Sequence, residues 1–192
     1  HMFVLKSKYF LIIERIKDIN LSNIKKINKF VIIYRSNKIK DDLAELIKFR
    51  RECFRKKIKF YIANNLKLCV LLKTDGIYLS SYNKSFKPLH ILKPRFDIIG
   101  SAHNYKEISE KEKQGCNLII FSKLFIVEYS KNSPFLGLIK YSKFLNHFNK
   151  KLIPLGGINC DNLNKLNLVN SEGFALLSEV KKKPAKIFSR LF

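Results

Sequence analysis

The chain has 192 residues, with 38 Lys+Arg against 15 Asp+Glu, a formal charge of +23. Hydrophobic residues make up 46%, which excludes a disordered basic tail and suits one domain with a full core, read as residues 2–192. No apolar run reaches the roughly 18 residues of a membrane span, and Met2–Phe3–Val4–Leu5–Lys6 meets charge too early for a secretion signal, so the expected location is cytoplasmic, with His1 set aside as a cloning remnant.

In chain order, the expected strands are Tyr9–Ile13, Phe30–Arg35, Lys59–Ala63, Gly76–Ser80, Asp97–Ala102, Asn117–Lys123, Leu152–Gly157 and Gly173–Ser178. Most are near-continuous apolar runs, the mark of strands buried on both faces of a parallel sheet. Helical stretches lie between them. Asp41–Lys57 carries Leu43, Leu46, Ile47, Phe49 and Cys53 at helical spacing. Tyr105–Gln114 and Leu138–Phe148 read the same way, Asp161–Asn170 opens on a capping residue, and Pro184 starts a final helix. Eight alternating strand and helix units predict an α/β fold, a compact (β/α)₈ TIM barrel. An open doubly wound sheet ranks second, since no GxGxxG follows the first strand.

The charge is not read as a nucleic-acid surface. Only seven of the 38 basic residues are Arg and the lysines are scattered, whereas phosphate-reading surfaces gather charge and favour Arg. A small anionic substrate fits the charge equally well, and no membrane partner is expected. Cys53, Cys69, Cys116 and Cys160 are far apart, with no CxxC, so they read as reduced core thiols and not as a zinc site.

In a barrel of this kind chemistry sits where strands end. Leu155-Gly156-Gly157-Ile158 closes strand seven, and Ala175-Leu176-Leu177-Ser178 closes strand eight. Paired glycines there let backbone N–H groups approach a phosphate. A tight strand-to-helix turn is the plainer explanation of the same pair. His103 follows strand five in Ser101-Ala102-His103 and is a candidate proton carrier, because an imidazole titrates near neutrality. Lys131 lies on the loop after strand six, and Arg35 ends an apolar strand, where its charge must face the mouth or a carboxylate.

From strand two to strand eight the chain resembles the thiamine phosphate synthase and TenI (thiazole tautomerase) family. The matching segments are Ile62-Ala63-Asn64-Asn65, Thr74-Asp75-Gly76-Ile77-Tyr78-Leu79, Ile99-Gly100-Ser101-Ala102-His103, Leu155-Gly156-Gly157-Ile158-Asn159 and Gly173-Phe174-Ala175-Leu176-Leu177-Ser178. The resemblance implies a thiamine biosynthesis enzyme with a phosphorylated thiazole as ligand. Substrate contacts would fall on Arg35, Asn64, Ser101, Lys131, Gly156, Gly157, Ile158, Leu177 and Ser178.

The departures choose between the branches. Where the synthase carries its two magnesium carboxylates, this chain carries Asn64 and Asn83. Magnesium favours hard, charged oxygen ligands. Of the synthase's strand-two motif only Arg35 stays in place, with Lys38 shifted by one, and in the loop after strand six Lys131 is displaced by one. The main expectation is therefore a thiazole tautomerase-like isomerase without metal or cofactor, with His103 as the proton carrier and Glu128 as the reserve base. A divergent, magnesium-using synthase and a binding-only barrel are the alternatives, and a homo-oligomer is left open.

Overall fold

The computed structural model describes residues 6–24, 28–36, 41–92, 96–127, 132–148, 151–177, 180 and 191. Eight strands alternate with helices: β1 (Lys8–Ile13), β2 (Phe30–Tyr34), α1 (Leu43–Arg55), β3 (Lys59–Ala63), α2 (Leu66–Leu71), β4 (Gly76–Leu79), α3 (Lys87–Leu92), β5 (Asp97–Ala102), α4 (Tyr105–Lys113), β6 (Leu118–Ser122), α5 (Gly137–His147), β7 (Leu152–Leu155) and β8 (Gly173–Leu176). All paired strands run parallel, in the order β7-β6-β5-β4-β3-β2-β1-β8. The ends of the sheet, β7 and β8, lie against each other and nearly close it into a barrel.

The uniform apolar runs hide a period of two. Phe10 and Ile12 of β1, Val31 and Ile33 of β2, Tyr61 of β3, Tyr78 of β4, Ile99 of β5, Ile120 of β6, Ile153 of β7 and Ala175 of β8 point inward and fill the barrel. Their neighbours, such as Tyr9, Leu11, Ile32, Phe60 and Phe121, point outward and pack against the helices in a second, larger core. A closed parallel sheet buries both faces, so neither set is polar.

Every expected strand is present within one or two residues of its expected ends. Helix α1 begins at its cap, Asp42, whose side chain accepts from Ala44 N–H, and it buries Leu46, Phe49 and Cys53. Leu43 is instead exposed. Between β7 and β8 the chain forms a 3-10 helix over Leu163–Leu168 and not the expected α-helix over Asp161–Asn170. The expected helix starting at Pro184 falls outside the described residues. All four cysteines are buried free thiols, and burial pushes Cys53 up to about 12 and Cys69 up to about 11. Among the described residues no helix is long and apolar enough to cross a membrane.

The outer core depends on interlocked rings. Phe121 is fully buried, with its centroid 5.6 Å from Tyr141 and 5.1 Å from Phe144. Phe121→Ala removes the ring that joins β6 to α5 and is expected to destabilise the fold by about 3–5 kcal/mol. Chemical denaturation monitored by far-UV circular dichroism checks this.

Candidate active site at the barrel mouth

The carboxyl ends of the strands bring distant residues to one side. Arg35 after β2, His103 after β5, Ser122 and Lys123 at the end of β6, the Leu155–Ile158 segment after β7 and Leu177 after β8 line one pocket of about 160 Å³. Among the described residues its charged or chargeable members are Arg35, His103 and Lys123, with no Asp or Glu. A larger cavity, about 300 Å³, lies at the opposite end of the barrel. Its charges neutralise one another, with Lys59 2.9 Å from Asp97 and Lys8 2.5 Å from Glu172. The described residues of the smaller pocket therefore carry the unbalanced positive charge that suits an anionic ligand.

The paired glycines sit in the pocket wall. Gly156 and Gly157 both have positive φ, +105° and +65°. A Cβ on Gly157 would lie 2.2 Å from the backbone oxygen of Ile126 and 2.7 Å from the carbonyl carbon of Phe125. Glycine is thus required here by backbone-to-backbone contact with the loop after β6 as well as by conformation. Phe125 N–H donates to Gly156 O at 3.0 Å, and the Asn162 amide donates to Gly157 O at 2.7 Å. The N–H groups of Gly157 and Ile158 have no hydrogen-bond partner among the described residues, so they remain available to an anion.

His103 is half exposed, and helix α4 begins immediately after it. Asn104 caps α4 by accepting from Glu107 N–H at 3.0 Å. Glu107 reaches back and accepts from His103 N–H at 2.8 Å, and its Oε2 lies 3.0 Å from His103 Nδ1. An ionised carboxylate can only accept, so Nδ1 carries the hydrogen and Nε2 is left as the working nitrogen. Burial alone would raise the Glu107 pKa. Hydrogen bonds from the His103 backbone and ring, the imidazole charge and Asn104 outweigh it and hold the carboxyl below its usual value.

The other half of the mouth is a closed amide network. Asn64, with φ +57°, donates from Nδ2 to Ser80 Oγ at 2.8 Å and to the Tyr82 hydroxyl at 3.0 Å. Its Oδ1 accepts from Ser80 N–H at 3.0 Å and Asn83 Nδ2 at 2.9 Å. An amide has two donors and two acceptor sites, and all four are engaged within the protein. The loop carrying Asn83 is held from beneath by Lys111, which is fully buried. Lys111 Nζ donates to Asn83 O at 2.6 Å and Gln114 Oε1 at 2.8 Å, and the Gln114 amide donates to Asn83 O and Ser85 O. Burial pulls the Lys111 pKa down.

This donor set does not fit the magnesium that the family resemblance implies. Both positions are neutral amides, Asn64 has no free lone pair, and no cluster of three or more His, Cys, Asp or Glu among the described residues could hold a metal.

Of the sequence-derived candidates, Arg35, His103, Gly156, Gly157, Ile158 and Leu177 meet in one pocket. Asn64 stands outside it in the amide network. Ser101 is buried, facing the Tyr78 hydroxyl. Lys131, Ser178 and Glu128 lie outside the described residues. The structure adds two residues. Lys123 lines the pocket and donates to Ser133 Oγ at 2.7 Å, and its only sequence signal was its place directly after β6. Glu107 was signalled by its spacing, four residues after His103 at a helix start.

A cationic pocket and a glycine turn after β7 lie where barrels of this architecture often hold a phosphate. Residues 15–180 match the thiamine monophosphate synthase family, and the chain belongs to that family. The thiamine-phosphate synthase of Prochlorococcus marinus subsp. pastoris is 30% identical over 128 residues, which is 66% of this chain and 36% of the relative. That of Prochlorococcus marinus strain AS9601 is 26% identical over 180 residues, 93% of this chain and 50% of the relative. The chain thus spans half or less of the length of these relatives. A thiamine phosphate pyrophosphorylase structure from Pyrococcus furiosus superposes with TM-score 0.75 at 17% identity, covering 96% of this chain and 93% of that one. The KGPDC of Streptococcus mutans gives 0.64 at 11% identity over 97% and 95%, a likeness of fold. These curated relatives are named as synthases, whereas the sequence reading placed an isomerase first.

The Glu107 contact makes a pH-dependent prediction. A carboxyl held below its unfolded value stabilises the fold above that value, and the contribution is lost as pH falls through the folded value. Glu107→Gln is expected to lower the melting temperature at neutral pH. The gap to the parent should close as pH falls below the ordinary glutamate value of 4.5. Thermal melts across pH check it.

Proposed function

We propose that the mouth binds the phosphate ester of a thiazole, an intermediate of thiamine biosynthesis, and that its chemistry is a proton shift centred on His103. The observation that carries this reading is that His103, held by Glu107 through Nδ1, shares one pocket with the open N–H groups of Gly157 and Ile158. The phosphate would take the two N–H groups and the positive field of Arg35 and Lys123. His103 Nε2 would then remove the ring proton of a thiazole carboxylate phosphate bearing an exocyclic double bond. The same atom would return a proton to the exocyclic carbon. Nothing is oxidised or lost, and aromatisation of the ring drives the reaction.

A second reading, coupling of a pyrimidine diphosphate to thiazole phosphate, is favoured by the names of the relatives. It has to be reconciled with amides at both metal positions.

Purified protein is expected to isomerise the thiazole carboxylate phosphate in excess EDTA, followed by proton NMR. His103→Ala is expected to lose at least about 100-fold in rate, the lower end for a general acid–base group, while phosphate binding stays nearly unchanged. Magnesium-dependent formation of thiamine phosphate, with no isomerisation, would establish the second reading instead.

A further inference from the structure

The pocket beside the glycine turn is small. Its roughly 160 Å³ falls below the ~300–1,000 Å³ of ordinary small-molecule sites. It has room for a phosphate and its linker, and the ring of a phosphate ester would extend from it across the mouth, where the ends of β3 and β4 lie. On that side stands Tyr82, on the loop after β4.

Tyr82 is unusual for an aromatic residue in this chain. It is 73% exposed, yet its hydroxyl is fixed by the Asn64 amide at 3.0 Å. Asn64 is itself held by Ser80 and Asn83, and Lys111 and Gln114 hold the Asn83 backbone from below. The ring is thus anchored at its backbone and at its far end, leaving its surface open. It also stands at the same end of the barrel as the pocket: its loop follows β4, which pairs with β5, and His103 directly after β5 lines the pocket. Because all four sites of Asn64 are spent within the network, its amide is closed to a ligand, and what the corner presents beside the Tyr82 hydroxyl is an exposed aromatic surface.

We infer that Tyr82, held by the Asn64–Ser80–Asn83 network, is a specificity residue whose ring stacks on the planar heteroaromatic ring of the phosphate ester bound beside Gly157. The inference rests on the phosphate-site reading above and assigns the ring end of the ligand to the corner where a synthase would place a metal. A ring fixed in advance loses little freedom on binding, so the stack adds affinity for aromatic esters over other phosphates.

The test is calorimetric titration of the parent, Tyr82→Ala and Tyr82→Phe with three probes: the thiazole phosphate ester, a ring-free alkyl phosphate and inorganic phosphate. Tyr82→Ala is expected to weaken the thiazole ester about tenfold and to leave the other two within about twofold. Tyr82→Phe keeps the ring and loses the anchor, so it should fall between parent and Tyr82→Ala for the thiazole ester alone. Equal affinity of Tyr82→Ala and parent for the thiazole ester would overturn the stacking role, as would an equal loss for all three probes. A parent that binds none of the three would overturn the phosphate-site reading and this inference together. Tyr82 is exposed, and far-UV circular dichroism confirms that the variants fold.

Discussion

The chemistry open to this barrel depends on how one amide is satisfied. Asn64 follows β3 with a positive φ, which turns its side chain across the mouth toward the loop after β4. Its four hydrogen bonds go to Ser80, Tyr82 and Asn83, and that exhausts an asparagine. Half of the mouth is thereby closed and neutral. Among the described residues, cationic side chains and open backbone N–H groups come together in the other half, where Arg35, His103, Lys123 and the Gly157 turn meet. An aspartate at position 64 would bring a charge and could not donate to Ser80 and Tyr82, so the network would not survive in this form.

The buried Lys111 explains why the closed half is rigid. An ammonium taken out of water needs strong acceptors, and it finds the backbone carbonyl of Asn83 in the loop it supports and the amide oxygen of Gln114 at the end of its own helix. Gly100 of β5 makes room for it, since a Cβ there would lie 2.9 Å from the Lys111 stem. A lysine in a core, a glycine in a strand and an asparagine loop at the mouth therefore form one mechanical unit. On the open half, the contact of Gly157 with the backbone of Phe125 and Ile126 does the corresponding work. It packs the loop after β6 onto the loop after β7 and so shapes the pocket wall.

The strands were legible in the sequence because a two-faced parallel sheet writes itself as continuous apolar runs, as in Phe30–Tyr34 and Gly76–Leu79. Two short helices were not delimited in advance. In α2 the run Leu66–Leu71 is apolar nearly all round and lacks a clear amphipathic period, although Asn65 caps it. In α3 a proline stands at the second position of only six residues. The segment around Leu163–Leu168 has a capping sequence but tightens to a 3-10 helix. At the site, strand-end logic found Arg35, His103 and the glycine pair. It could not tell that Asn64 turns to its neighbours and away from the pocket, because that follows from hydrogen bonds to a loop nineteen residues later. Nor could it separate Lys123 from thirty other lysines.

The central claim is that the open half of the mouth takes a phosphate ester without help from a metal. Titration calorimetry of the thiazole phosphate ester, run once in excess EDTA and once in excess magnesium, tests it most directly. The account predicts binding with the same affinity in both. Binding that requires magnesium, or tightens by an order of magnitude or more when it is added, would contradict it.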